Sequence, residues 1–246
     1  MTYCFGKLPK KSDYRTLRFD DFSAALAPPP ESFSNLSRIY AALQLSNPDP
    51  AALFPMDGND TEGDCTFAAR AHAITVFQGL IGKRTVMTAS AVVAAYLKWT
   101  KGQDIGANEL DLLTDWRKHS FGGDKILGFA AADPKNHTHV KQIIQLFGGN
   151  YLGFQCQENV IKDFEAHRPW TPGKLTNEGH AVWAVDYDPD TVTVLTWGGV
   201  QQGTWPWWDE CVDETSAILP PEAKNPNFAP GFDIAKFEAA LAAVTN

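Results

Sequence analysis

A cysteine at the predicted start of a helix is the residue of this sequence best placed to do chemistry. A polar, turn-forming run at residues 57–64 ends at Cys65. Apolar residues then recur at helical spacing: Phe67, Ala71, Ile74 and Phe77. Asp60, Thr61 and Asp64 are candidate N-cap residues, so the helix is predicted to begin at or just before the cysteine. A thiol there lies at the positive end of the helix dipole, which favours the thiolate. Cys65 is therefore a candidate nucleophile, the alternative being a small core residue.

A histidine late in the chain is the candidate base for this thiol. The run from Gly179 to Tyr187 has the composition of a β-strand, and the turn Asp188-Pro189-Asp190 leads into a return strand at residues 191–197. His180 therefore stands at the mouth of a predicted hairpin.

The register of this hairpin decides which residue stands behind the imidazole. A three-residue loop pairs Tyr187 with Thr191 and places Thr196 on the same face as His180, within side-chain reach. A two- or four-residue loop would shift the register by one and turn Leu195 to that face. The chemistry needs a hydrogen-bond acceptor behind the imidazole, and only Thr196 could provide one.

The order of these pieces resembles that of papain-like cysteine peptidases. Family members carry a Gln shortly before a Gly-x-Cys, then His-Ala-Val, then Asn-Ser-Trp-Gly. The corresponding pieces here are Asn59, Gly63-Asp64-Cys65, His180-Ala181-Val182 and Thr196-Trp197-Gly198. The pattern is also similar to uncharacterised phage and bacterial proteins with an NDxxGDC motif and a late TWG. The resemblance spans residues 57–219. It implies an α+β, papain-like fold, in which a helical subdomain carrying the Cys helix packs on an antiparallel β-sheet subdomain carrying the His hairpin.

The resemblance also implies roles for individual residues. Cys65 would be the nucleophile, and His180 would take its proton and later protonate the leaving amine. The Asn59 side-chain amide and the Cys65 backbone N–H would donate to the oxyanion. Thr196 would orient the imidazole through Nδ1, and Trp197 would pack over that contact. The expected cleft or supporting residues are Gly63, Asp64, Trp197 and Gly198.

Two departures from the family pattern weaken the implied machinery and leave alternatives open. Asn59 reaches less far than Gln, and Thr196 is a short, neutral hydroxyl where the family has Asn. The favoured function is hydrolysis of a peptide or isopeptide bond through a Cys65 acyl-enzyme. The alternatives are acyl transfer or amidase chemistry on the same pair, and a catalytically weak or inactive binding or virion-associated module.

Composition and charge exclude several classes of partner. The net charge of −8 and the absence of a basic stripe argue against nucleic acid and anionic membrane. No segment approaches the roughly 18 uninterrupted apolar residues of a membrane span, and no secretory signal is recognisable. The four cysteines show no metal-binding spacing and no disulfide framework. We therefore expect no cofactor, no metal, a peptide or protein substrate, and a reduced, cytoplasmic setting, with phage association as a further possibility.

The chain divides into three predicted parts. Residues 1–57 are interrupted by prolines and are predicted to form an arm that wraps the domain, the alternative being a removable pro-segment. Residues 58–220 would form the papain-like domain. Residues 221–246 would be a Pro-rich connector and a C-terminal amphipathic helix capped by Asp233. Other predicted helices span residues 36–45, 88–100, 109–119, 137–147 and 159–167, and other predicted strands span residues 125–131 and 151–155.

Several other residues with reactive or ligating side chains have simpler structural interpretations. His72 is expected to be a satisfied histidine, although it could lean into the site. His137 and His139 lack a third metal ligand. Cys156 and Cys211 are expected to be buried or edge thiols. The carboxylates Asp209, Glu210, Asp213 and Glu214 are expected on a solvated strand or turn, and the nearby Trp205, Trp207 and Trp208 on an aromatic strand packed on the sheet.

Overall fold

An antiparallel β-sheet forms the centre of the computed structural model, which describes residues 2–225 and 228–245. The path β2-β7-β3-β4-β5-β6 orders six strands, and the short β1 pairs with β4 beside it. The strands are β1 (Phe33–Ser34), β2 (Gly128–Ala132), β3 (Asn150–Gln157), β4 (Leu175–Tyr187), β5 (Thr191–Thr196), β6 (Gly199–Thr204) and β7 (Val212–Leu219). The long β4 lies inside the sheet, so that its buried positions are held from both sides.

Helices cover this sheet, and one of them is buried on nearly all sides. The helices are α1 (Asn35–Ala42), α2 (Cys65–Leu80), α3 (Ala89–Trp99), α4 (Glu109–Lys118), α5 (His137–Leu146), α6 (Val160–Glu165), α7 (Trp205–Cys211) and α8 (Ile234–Thr245). Short 3-10 turns occur at Phe19–Phe22, Pro50–Ala52 and Pro221–Lys224. Helix α2 packs on β4 and is flanked by α1 and α3. Its many alanines allow this close approach. In the described part of the chain no helix has the length and apolarity that crossing a bilayer requires.

Local capping signals explain why most helices begin where the sequence predicts. The Thr88 hydroxyl accepts from Ala91 N–H, and Asn136 accepts from His139 N–H. Asp233 accepts from Lys236 N–H in the same way, as predicted for the last helix. That helix docks on the domain, since the buried Phe237 contacts Phe22. Asp64 occupies the N-cap position of α2 but makes no side-chain capping hydrogen bond.

The hairpin that carries His180 has a different register from the predicted one. Tyr187 pairs with Val192 rather than with Thr191, so the loop contains four residues. The pairing then shifts by one residue between Ala184 and Asp186, where β4 carries an extra residue. This bulge cancels the shift, so that Leu195 pairs with Trp183 and Thr196 still reaches His180. The predicted loop was wrong, but the predicted neighbour of the histidine was right.

The segment after Trp197 also differs from the prediction. Strand β5 ends at Thr196, and Trp197 and Gly198 form the two-residue loop of a β5–β6 hairpin, both at positive φ (48° and 74°). The three later tryptophans lie on α7 instead of on a strand. Helix α7 forms because the Thr204 hydroxyl caps it and Pro206 suits its first turn.

The N-terminal residues lie across the domain in extended form. Cys4 N–H donates to Asn59 O at 2.8 Å, and Lys7 N–H donates to Gly179 O at 3.1 Å. Leu8 N–H and Gly6 O hydrogen-bond to the backbone of Ala107. These bonds connect the segment to the α2 loop, to β4 and to the start of α4. The division of the chain at residues 57 and 220 stays a prediction.

Candidate active site

Cys65 is the first residue of α2 and is sealed from solvent. The side chain is 1 % exposed. Burial raises the pKa of the Cys65 thiol to about 12, although the backbone N–H groups of Ala181 and Gly6 approach the sulfur and act in the opposite direction. The expected thiolate-stabilising environment is therefore overridden in this closed arrangement, because desolvation outweighs the helix dipole. The sulfur lies against the backbone of the residue that follows His180.

His180 lies on β4 with one ring nitrogen bound and the other unpartnered. Nε2 is 2.7 Å from Thr196 Oγ1, and Nδ1 has no hydrogen-bond partner among the described residues. The prediction that Thr196 orients the ring through Nδ1 was therefore wrong, because the ring presents its other nitrogen to the hydroxyl. This arrangement leaves Nδ1 without an occupied hydrogen bond. Burial, and after it the charge of His72, lowers the pKa of His180 to about 3, so the ring is neutral.

Aromatic rings fix the plane of the imidazole. Trp197 stacks on His180 with ring centroids 4.5 Å apart and an interplanar angle of 26°. Phe5 and Phe154 contact the imidazole edge-on, at 5.8 and 5.6 Å. Trp197 therefore packs over the His180–Thr196 pair, and the three rings together exclude water from it.

The loop before Cys65 holds the other predicted site residues. Asn59 is buried, and its Nδ2 donates to the Glu62 carbonyl at 3.2 Å, so the amide is engaged within the loop. Gly63 N–H donates to Asp104 Oδ1 at 2.9 Å, which fixes the approach to the cysteine. Burial, and after it the charge of Asp57, raises the pKa of Asp64 to about 8. The carboxyl beside Cys65 is therefore mostly protonated at neutral pH. The role of Asn59 in an oxyanion hole stays a prediction.

The N-terminal segment Tyr3–Lys7, here called the cleft segment, covers Cys65 and His180. Phe5 contacts His180, and Tyr3 packs on Trp197 with centroids 5.1 Å apart. Gly6 touches Gly63 so closely that a Cβ on Gly6 would lie 1.6 Å from the Gly63 carbonyl oxygen. The low exposure of Cys65 and His180 follows from this cover. Sequence reasoning missed the cleft segment, although two aromatic residues and a glycine within five residues were a signal of burial.

The remaining candidates lie apart from the pair or serve packing. His72 is buried, with Nε2 3.0 Å from Pro55 O and 3.3 Å from Asp57 Oδ2, whereas its Nδ1 has no hydrogen-bond partner among the described residues, so the expectation of a satisfied histidine holds for one ring nitrogen only. His137 pairs with Asp209, and His139 lies near Asp20. Within residues 2–225 and 228–245 no group of three ligating side chains could hold a metal ion. Cys156 and Cys211 are buried free thiols.

Comparisons with known proteins identify the architecture. No protein-family model matches the sequence, and no curated protein does. Among solved structures the chain is similar to xylellain, a cysteine protease from Xylella fastidiosa, with a TM-score of 0.65 and 15 % identity over 89 % of this chain and 96 % of that one. It is also similar to proCathepsin B S9 from Trypanosoma congolense, with a TM-score of 0.61 and 12 % identity over 88 % of this chain and 86 % of that one. The chain therefore has the α+β fold of the papain-like cysteine proteases.

Proposed function

We propose that this protein is a thiol hydrolase that cleaves a peptide or isopeptide bond through an acyl-enzyme on Cys65. The observation that carries the proposal is the state of His180, whose Nε2 is held by Thr196 while its buried Nδ1 is unpartnered beside the strand backbone that touches the Cys65 sulfur. A buried nitrogen without a partner costs stability, and its use in a reaction would explain why this cost is kept. The likeness in fold to cysteine proteases supports the same chemistry.

In the proposed reaction, Cys65 Sγ attacks the carbonyl carbon while its proton passes to His180 Nδ1. The oxyanion is stabilised by the Cys65 backbone N–H, with the Asn59 amide as the second donor once it leaves the Glu62 carbonyl. His180 then gives the proton to the leaving amine as the C–N bond breaks, which leaves a thioester. A water molecule, deprotonated by His180, attacks the thioester and regenerates the thiol. Trp197 keeps the imidazole in plane throughout.

This reaction requires the cleft segment to move. With Tyr3–Lys7 in place, no carbonyl can reach the sulfur, and desolvation favours the neutral thiol and the neutral imidazole. When the cleft segment leaves, water returns and the dipole of α2 favours a thiolate–imidazolium pair. The described arrangement is thus the closed state of the proposed enzyme. A reducing, cytoplasmic setting, which would keep the thiol free, is part of the proposal.

Labelling of the thiol as a function of pH tests this function. Iodoacetamide labelling at each cysteine is followed from pH 5 to 9 by peptide mapping, in Gly6→Ala, where a Cβ would collide with Gly63 and loosen the cleft segment, and in the same variant with His180→Ala added. We expect labelling of Cys65 to persist well below the free-thiol pKa of about 8.5, and to lose this low-pH component in His180→Ala. An identical pH profile in the two chains would show that His180 does not activate Cys65 and would favour the binding-module alternative. An added amine that accepts the acyl group would instead indicate acyl transfer.

A further inference from the structure

A lysine side chain fills a buried acidic site next to the proposed catalytic pair. Only 2 % of the Lys7 side chain is exposed. Its Nζ lies 3.0 Å from Asp213 Oδ2 and 3.0 Å from Glu214 Oε1. Glu109, at the start of α4, is the third carboxylate whose charge acts on this ammonium. We call the site formed by Glu109, Asp213 and Glu214 the acidic pocket.

The acidic pocket exists because residue 153 has no side chain. A Cβ on Gly153 would lie 1.9 Å from Lys7 Cε and 2.3 Å from Glu109 Oε1, so the lysine stem and the carboxylate share the space above this glycine. Glycine weakens a strand interior and often marks close approach by another chain. Here it lies in the middle of β3, between the buried Leu152 and Phe154. The space is therefore a feature of the domain itself.

The backbone of Lys7 runs where a substrate of the proposed enzyme would have to run. Lys7 N–H donates to the carbonyl of Gly179, the residue before His180. The backbone N–H of the preceding residue, Gly6, approaches the Cys65 sulfur. A peptide that brings a carbonyl to this sulfur must displace the cleft segment, and one of its side chains then faces the acidic pocket.

The charge of the acidic pocket selects for a cation. Three carboxylates act on the Lys7 ammonium, while the Lys10 ammonium adds a second positive charge that acts on Glu109 and Glu214. Glu109 Oε1 has no hydrogen-bond partner among the described residues. Burial by itself lowers the pKa of Lys7, but the charges of Glu109, Glu214 and Asp213 outweigh it and raise that pKa. Burial, and after it the charge of Glu214, raises the pKa of Glu109. A neutral side chain of the same length would deprive the buried Glu109 and Glu214 of the Lys7 ammonium, which is unfavourable.

We infer that the acidic pocket is the specificity subsite of the cleft and that it takes a basic side chain, lysine above all, from the substrate. This inference rests on the proposed function, and it adds the substrate class. Lys7 occupies the subsite in the closed state as a side chain of the chain's own cleft segment.

Covalent probes that differ in one side chain test the acidic pocket. Peptidyl acyloxymethyl ketones are prepared with lysine, or with its uncharged isostere norleucine, at each of the three residues next to the reactive group. Labelling of Cys65 is followed by mass spectrometry in the natural chain and in Gly6→Ala, where the cleft segment is loosened. Because both probes need the same opening of the cleft segment, the ratio of their rates reports the acidic pocket alone. At one position we expect lysine to label at least tenfold faster than norleucine.

Charge-removing variants assign that preference to the acidic pocket. Glu214→Gln and Glu109→Gln are expected to lower the lysine-to-norleucine ratio severalfold. Asp213→Asn, at a half-exposed position, serves where those two fail to fold. The control Glu210→Gln removes an exposed carboxylate on α7 and should leave the ratio unchanged. Norleucine probes that label as fast as lysine probes at every position would overturn the inference, as would a lysine preference that survives in all three pocket variants.

A binding measurement separates the acidic pocket from the proposed chemistry. In Lys7→Ala the empty pocket should be refilled by n-butylammonium, so this cation should raise Tm more than n-butanol does, and Glu214→Gln should remove the difference. Equal increases in Tm with the two additives would show that the acidic pocket does not select a cation and would overturn the inference. Cation binding and lysine-selective labelling without any peptide hydrolysis would retain the pocket and refute the proposed hydrolase. Peptide hydrolysis without lysine preference would support the proposed hydrolase and refute the acidic pocket as its specificity subsite.

Discussion

At the scale of single residues, the hydrogen bond between Thr196 and His180 differs from the Asn–His contact of the papain-like sequence pattern. A carboxamide oxygen can only accept, so it fixes the imidazole tautomer with a proton on the bound nitrogen. The Thr196 hydroxyl can donate or accept, and it therefore holds the ring without choosing the tautomer. Base catalysis at Nδ1 needs the state in which Nε2–H donates to Thr196 Oγ1.

Removal of this hydroxyl should impair catalysis more than folding. In Thr196→Val the shape is kept, but Nε2 of the buried ring loses its partner, which costs about 1–3 kcal/mol of stability. We expect hydrolysis to fall at least tenfold, because the ring then samples other orientations. The control Thr193→Val changes a half-buried threonine on the same strand. Equal rates for Thr196→Val and the natural chain would show that the hydroxyl does not position the imidazole.

Burial of neutral His180 predicts a pH dependence of stability. The pKa of His180 is lowered to about 3 in the folded protein, against about 6.5 unfolded, so the unfolded state binds more protons between these values. The free energy of unfolding is therefore not reduced by His180 above pH 6.5, and it falls as the pH decreases from 6.5 towards 3. We expect His180→Gln to flatten the decline in the free energy of unfolding between pH 6.5 and 4.5, as measured by urea denaturation. A parallel decline in both chains would contradict the assignment.

At the scale of elements, the cleft segment and the β5–β6 hairpin control the site. The contact between Gly6 and Gly63 leaves no room for a methyl group, so Gly6→Ala should lift the cleft segment from the cleft. We expect iodoacetamide to label Cys65 at least tenfold faster in this variant. Gly199→Ala is the matched control, since a Cβ there would meet only Phe164 at an ordinary 3.8 Å. Unchanged labelling of Cys65 in Gly6→Ala would show that another element covers the thiol.

The two-residue hairpin loop fixes Trp197 over the imidazole. Gly198 has φ = 74°, which an L-residue adopts only with strain, whereas a Cβ there would meet no atom closer than 3.5 Å. Gly198→Ala should therefore cost about 1 kcal/mol through the backbone alone. This cost is measured by thermal or urea unfolding of Gly198→Ala, with Gly199→Ala as the comparison. Equal stabilities of the two variants would argue against the strained turn.

Elements with strong local signals were predictable, and those decided by tertiary contacts were not. The predicted helix at residues 137–147 matches α5 to within one residue because Asn136 caps it and glycines follow it. Helix α7 was missed because its tryptophans suggest a strand, whereas their burial, as in the packing of Trp207 on Phe154 and Trp170, decides the conformation. The bulge in β4 leaves no mark in the sequence, yet it sets the register behind His180.

At the scale of the whole molecule, contacts between distant parts of the chain assemble the site. Lys7 meets Asp213 across 206 residues, and no local pattern could reveal this ion pair. The sequence singled out Cys65, His180 and Thr196 as candidates because each lies in a short pattern with chemical meaning. It assigned Asp213 and Glu214 to a solvated strand or turn, whereas Glu214 is mostly buried beside Lys7. Charge complementarity across the cleft is thus a property of the fold rather than of any motif.

Direct observation of the acyl-enzyme tests the account most sharply. The natural chain, Gly6→Ala and His180→Ala are mixed with a peptide p-nitrophenyl ester, quenched in acid and mapped by mass spectrometry. We expect the acyl group on Cys65, labile to hydroxylamine, in greater amount in Gly6→Ala than in the natural chain and absent from His180→Ala. No acyl group on Cys65 in either of the first two chains, or equal acylation without His180, would contradict the proposed Cys65–His180 hydrolase.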